Sequence, residues 1–357
     1  MKEIELKPLV LKALRETSGY SVEEVAKKLK VSKEKIVSVE EGKSTFTLTQ
    51  IKKLADIYKR PLVVFFSSSI PKLPKVPDYR INREKRLPPQ IYSAERRIYY
   101  LSEKIKELSR KKTQIPTFSK EISADELAKE FKKYLSIELL KSKKPEEILA
   151  IYKKILEDAL TIIIIEYPLK ADDVRAFSIY SDISSIVLNE DDKPSIKLFS
   201  LFHEVCHLLK KKHGICSLEL EEQHQNIESY CNDFAAEFLV PLDDLKIEIK
   251  KFEPKSNKVI NQLIKIYGVS KQVIMLRLLR LRYIEKEEYE QFKKKIDEES
   301  ERKKFGRRSW DKVFLNRAGN LPLQEIKKAY NKGQITYYEC LNILDLKTKY
   351  GEKFITS

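Results

Sequence analysis

The five residues His203-Glu204-Val205-Cys206-His207 constrain this chain more than any other stretch. On an α-helix, positions four apart stack on one face, so His203 and His207 can share one metal ion. Glu204 projects about 100° round from His203, beside the metal, where it can take the proton of a bound water that attacks a peptide carbonyl. The flanking residues support a helix from about Ser195 to Lys212, with Leu198, Phe202, Val205 and Leu209 in a stripe roughly opposite the histidines. One side is thereby buried and the histidine pair faces a cleft. A short motif can match by chance. Against chance stand the helical frame and the histidine distribution, since all 4 histidines lie between His203 and His224.

A catalytic zinc takes three protein ligands and leaves a fourth position to water. Three candidates for the third ligand follow the motif. His213 sits where metzincins place theirs, but that signature needs a glycine at the turn ending the helix, and the position holds Lys210. The helix is therefore expected to continue. His224 lies in a Glu/Gln-rich loop without a regular frame. Glu228 opens a segment that reads as a helix stopped by Pro241. On it Glu228, Asn232 and Ala235 share one face, and Ile227, Phe234 and Phe238 share a second, core face. Glu228 can reach the metal, and Asn232 can hydrogen-bond the other ring nitrogen of a ligand histidine. Small Cys231 and Ala235 let this helix lie close to the first, and Glu237 reads as a solvated carboxylate on the far side.

The run from Ser178 to Pro241 resembles the ImmA/IrrE family of zinc metallo-endopeptidases. The matching pieces are Ile186-Val187-Leu188-Asn189, then Leu201 to Leu209, then Glu228-x-x-x-Asn232-x-Phe234-Ala235-Ala236-x-Phe238-Leu239-Val240-Pro241. The resemblance implies a zincin-like fold, a small sheet packed on the active-site helix. It implies one Zn2+ per chain held by His203, His207 and Glu228, a gluzincin-like set, with Glu204 as general base. Cys206 stands where the family commonly has glycine, and is read as buried packing. Family members cleave repressors in mobile-element and stress responses or sit in toxin–antitoxin-like pairs. A protein substrate of that kind is the implied partner. The alternative reading is a DNA-binding regulator whose metal site is structural or sensory.

The N-terminal region reads as short helices with tight turns. One runs from Val22 to Lys30 behind a Ser21 cap, and the next from a Ser32 cap to Glu41, with Gly42 as its stop. Ala26, Val31, Ile36 and Val39 take the small and apolar positions of a helix-turn-helix. Leu48, Ile51, Leu54, Ala55 and the run Pro61 to Phe66 are expected to complete a small core. This resembles the Xre-type (phage-repressor) DNA-binding domain often fused to ImmA/IrrE peptidases. Lys33 and Lys35 are candidate DNA contacts on the recognition helix, offset by Glu34, Glu40 and Glu41. The family's usual glutamine at the start of the preceding helix is Val22 here, so the fold retained for protein contacts is a rival. Arg96 and Arg97, on a basic helix expected from about Gln90 to Lys112, are further candidate DNA contacts.

The chain is expected to be α+β: a helix-turn-helix domain over 1–70, a Pro-rich linker and basic helix over 71–122, and a zincin-like core over 123–245. A helix-turn-helix-like subdomain follows over 246–300, read as scaffold, and a helical C-terminal appendage over 301–357. Strands are expected over the Ile-rich run Leu160–Tyr167, near Ala176–Tyr180 and over Ser185–Asn189. The last is the candidate edge for pairing with an extended substrate. A net charge of +16 points to acidic or polyanionic partners, DNA among them, or to a lysine-rich solubilising surface. No apolar run approaches the ~20 residues of a membrane span. No signal segment opens the chain and the 4 cysteines form no CxxC pair, so a cytoplasmic location is expected.

Overall fold

The computed structural model describes residues 6–68, 87–119, 121–170, 174–211, 222–252, 257–299 and 309–356. The chain divides into two compact units, residues 1–100 with 168–173, and residues 101–167 with 174–357.

In the first unit the caps set the helix boundaries. The helices are α1 (Pro8–Glu16), α2 (Val22–Leu29), α3 (Lys33–Glu40) and α4 (Leu48–Tyr58), followed by a 3-10 turn over Leu62–Phe66. Ser21 and Glu24 form a reciprocal capping box on α2, Thr47 and Gln50 form one on α4, and Ser32 caps α3. The α2–α3 pair is the expected helix-turn-helix. Leu14, Val25, Ile36, Ile51 and Phe65 fill its core. Arg15 on α1 forks onto the Glu40 carboxylate of α3, with Nε to Oε1 at 2.6 Å and Nη2 to Oε2 at 2.9 Å. Leu48 does not join this core. It is 43% exposed at the first position of α4, one turn ahead of the buried Ile51 and two ahead of the buried Ala55.

A further helix, α5 (Pro89–Ser109), has residues in both units. Ile91, Ala94, Ile98, Leu101 and Ile105 recur along it every three or four residues and all are buried. It is therefore a core helix with one charged side, not a fully solvated basic rod.

The second unit is built on a three-stranded sheet, β1 (Ile163–Tyr167), β2 (Ala176–Ile179) and β3 (Ser185–Asn189), in the order β1-β3-β2. β1 runs parallel to β3 and β2 antiparallel. Strand alternation splits the isoleucine run between two faces. Ile164 shares a face with Ile186 and Leu188. These join a single core with α6 (Ala124–Leu135), α7 (Pro145–Leu160), α8 (Pro194–Lys211) and α9 (Glu222–Leu239). Its centre is aromatic. Phe202 of α8 stacks on Phe238 of α9 with centroids 3.9 Å apart, and Tyr152 of α7 meets Phe202 edge-on at 5.0 Å. Pairs of this kind contribute about 0.5–1.5 kcal/mol each beyond area burial.

Two expectations are corrected here. Ser185–Asn189 is the central strand, because β2 pairs with it on the side opposite β1, so among the described residues β2 is the edge strand on that side. The C-terminal helices α14 (Trp310–Ala318), α15 (Asn320–Asn331) and α16 (Tyr337–Leu344) are part of the second unit, and α14 and α15 pack against β1. The close approach needs Gly319, at φ +80°, where an added Cβ would lie 3.2 Å from the Ile164 carbonyl oxygen. Buried polar groups fix this contact. Glu157 Oε1 accepts the backbone N–H groups of Ile164, Asn320 and Leu321, while Oε2 accepts Asn320 Nδ2. Burial pushes the Glu157 carboxyl up to about 7, against the pull of Lys153 and these donors. Glu166 lies between Lys153 Nζ at 3.2 Å and Lys197 Nζ at 2.5 Å, all three buried. Burial alone would raise its carboxyl, but the two ammonium groups hold it below its ordinary value.

Between α9 and α14 the described helices are α10 (Leu242–Ile249), α11 (Asn257–Tyr267), α12 (Lys271–Arg280) and α13 (Lys286–Glu299). Glu237, read from sequence as solvated, is 2% exposed and pairs with the fully buried Arg277 of α12. Arg277 Nε also donates to the Val240 carbonyl beyond the end of α9. The sequence alone does not reveal that α12 returns to cover this side of α9. A buried carboxylate of this kind is tolerable because the guanidinium neutralises it. Arg280 is likewise engaged, with Asp125 of α6 at 2.8 Å and Asp233 of α9 at 3.2 Å.

Candidate metal centre

α8 runs through Lys210 as expected, and Lys210 Nζ lies 4.0 Å over the Tyr230 ring of α9. The metzincin turn is therefore absent at that position. His213 lies outside the described residues, and of His224 only its place in α9 is described.

The apolar stripe of α8 turns His203 and His207 outward on one face, and α9 lays Glu228 and Asn232 against them. His203 Nε2 and His207 Nε2 are 3.1 Å apart. Glu228 Oε2 is 3.4 Å from the first and Oε1 is 3.6 Å from the second. The three donor groups all lie within 4.8 Å of one another. Zinc–ligand bonds of about 2.0–2.1 Å in a tetrahedral set separate neighbouring ligand atoms by about 3.3 Å. The donors are thus spaced as zinc ligands are, and the set is two imidazole nitrogens and one carboxylate. His203 Nδ1 is 2.8 Å from Asn232 Oδ1. With that oxygen as acceptor the ring proton sits on Nδ1, which leaves the Nε2 lone pair for a cation. The residues present fit a zinc ion.

Glu204 is 6% exposed and sits beside the cluster rather than in it. Its Oε2 accepts a 2.8 Å hydrogen bond from Ser178 Oγ, on β2. Ser178 was not singled out from sequence. The alternation of β2 puts it on the α8 face, but that becomes informative only once β2 is known to be the edge beside α8. Cys206 and Cys231 are both fully buried, as expected for small packing residues where two helices approach closely.

The four candidate DNA contacts are not brought together. Lys33 Nζ lies 3.3 Å from Glu23, and Lys35 donates to Ser44 Oγ. Arg96 donates to the Thr17 carbonyl at 2.9 Å and the Tyr58 carbonyl at 2.8 Å. Its guanidinium satisfies the C-terminal ends of α1 and α4, a structural task that takes it out of a phosphate-facing role. Arg97, the next residue, is half-buried.

Two family models match parts of the chain. Residues 157–279 match the peptidase family model described as the IrrE N-terminal-like domain, and residues 9–64 match one described as a helix-turn-helix domain. The chain thus joins an N-terminal helix-turn-helix domain to an ImmA/IrrE-type metallopeptidase-family domain. No curated protein matches the chain.

Proposed function

We propose that the chain is a zinc-dependent endopeptidase that cleaves a regulatory protein, of repressor or antitoxin kind. Its N-terminal domain directs it to that partner or to DNA. The observation that carries this reading is the convergence of His203, His207 and Glu228 within 4.8 Å, with Glu204 beside them but outside the ligand set. A zinc ion, when bound there, supplies the Lewis acidity that activates water and polarises a carbonyl. Glu204 takes the water's proton and returns it to the leaving amine. A purely structural site has no use for a carboxylate in that position, which disfavours a regulator with a sensory metal alone.

The outer side of β2, with which no described strand pairs, supports an extended substrate. Asn189 N donates to Arg175 O, which fixes the alternation of the β2–β3 ladder. Phe177 and Ile179 are the residues bonded to β3, so the backbone groups of Ala176 and Ser178 face away from it. An extended peptide added there lies beside Glu204.

Metal content tests the ligand set. Purified wild type should hold about one zinc per chain, and Glu228→Ala should lose far more of it than His213→Ala or His224→Ala. Loss of zinc in His213→Ala with retention in Glu228→Ala would reverse the assignment of the third ligand.

A further inference from the structure

We infer that Ser178 is a positioning residue that registers the general base to the substrate-binding edge. The inference rests on the endopeptidase reading above. Ser178 pairs across β2 with Ile186 of β3, and its side chain shares the face that packs on α8. Its Oγ donates to Glu204 Oε2 at 2.8 Å. A serine hydroxyl carries one proton. Given to Oε2, that proton fixes the carboxylate's rotation and leaves Oε1 as the oxygen best placed to accept a proton from water. A glutamate side chain has three rotatable bonds, and a base that must meet its proton within hydrogen-bond reach loses rate when it samples other rotamers.

The main chain of the same residue does the complementary task. Ser178 N–H and C=O lie on the side of β2 that faces away from β3, so an incoming peptide hydrogen-bonds to the residue whose side chain holds the base. The substrate backbone and the Glu204 carboxylate are then both referenced to one Cα. Misplacing that Cα misplaces both, while losing only the hydroxyl leaves substrate pairing intact and frees the base. The two effects separate kinetically: the hydroxyl acts on kcat and the backbone acts on KM.

Threonine and valine at position 178 isolate the hydroxyl, since both are β-branched, both suit a strand, and they differ by one donor. The zinc-loaded full chain is assayed first on a mixed-sequence peptide library, and kcat and KM are then measured on the peptide that wild type cleaves fastest. Ser178→Val should lower kcat by about tenfold or more, with KM within about twofold of wild type. Ser178→Thr should recover most of the rate. Zinc content and melting temperature should match between the two variants, because Ser178 touches no ligand. Equal kcat for the Val and Thr variants, or a loss confined to KM, overturns the role of the hydroxyl while leaving the peptidase reading intact. A wild type that cleaves nothing in the library overturns the peptidase reading and the role of Ser178 with it.

Discussion

Asn232 and Glu157 show how single polar side chains set up this site and its scaffold. Asn232 Oδ1, 2.8 Å from His203 Nδ1, fixes both the tautomer and the ring plane of His203, a proposed zinc ligand. Asn232→Ala should therefore weaken zinc binding by about 10–100-fold without unfolding the chain, as read by competition with a chelator. Unchanged affinity would show that the ring is held by packing alone. Glu157 gives a signed pH dependence. Its carboxyl titrates near 7 when folded, against an ordinary value of 4.5. The folded protein therefore binds the extra proton between those values, so this contribution is full at low pH and is lost as pH rises through about 7. Between about pH 5.5 and 8 the melting temperature of wild type should fall more than that of Glu157→Gln. Parallel curves for the two proteins would contradict the assignment.

At the scale of elements, the helices that carry the site depend on those that cover β1. Lys197 in the first turn of α8 reaches Glu166 of β1 and the Glu190 carbonyl, and Glu190 in turn accepts a forked pair from Arg317 of α14. Removing residues 309–357 strips the cover from β1 and leaves Glu157 without three of the donors it accepts. The truncated chain should lose cooperative melting of the second unit and precipitate. A soluble truncation with the melting temperature of wild type would show the C-terminal helices to be dispensable. The same contrast explains what the sequence made legible. α8 and α9 were readable because their periodicity and the proline that stops α9 are local. The juxtaposition of His203, His207 and Glu228 followed from helix phasing together with the family resemblance. The order of the strands, the return of α12 over Glu237, and the docking of α14 and α15 on β1 depend on pairings between residues far apart in sequence. No periodicity encodes these, so Ser185–Asn189 was read as an edge strand although it is the central one. Ser178 was missed for the same reason.

At the scale of the whole molecule, a helix-turn-helix domain and an IrrE-type domain share one strongly basic chain, with a net charge of +16. No described helix is long and apolar enough to cross a membrane. On the first unit, the outward face of α3 mixes Lys33, Glu34 and the 40%-exposed Val37, with Lys33 already paired to Glu23. Such a face suits a protein partner at least as well as a phosphate backbone. Its charge is divided, and its apolar centre has no counterpart in phosphate recognition. The central claim is that Glu204 works as a base beside a zinc ion held by His203, His207 and Glu228. Its most direct test compares zinc-loaded wild type with Glu204→Gln on a mixed-sequence peptide library, counting new N-termini by mass spectrometry. Wild type should generate them, and the variant, with equal zinc content, should do so at least about a hundredfold more slowly. Equal cleavage by both proteins, or none by wild type, would contradict it.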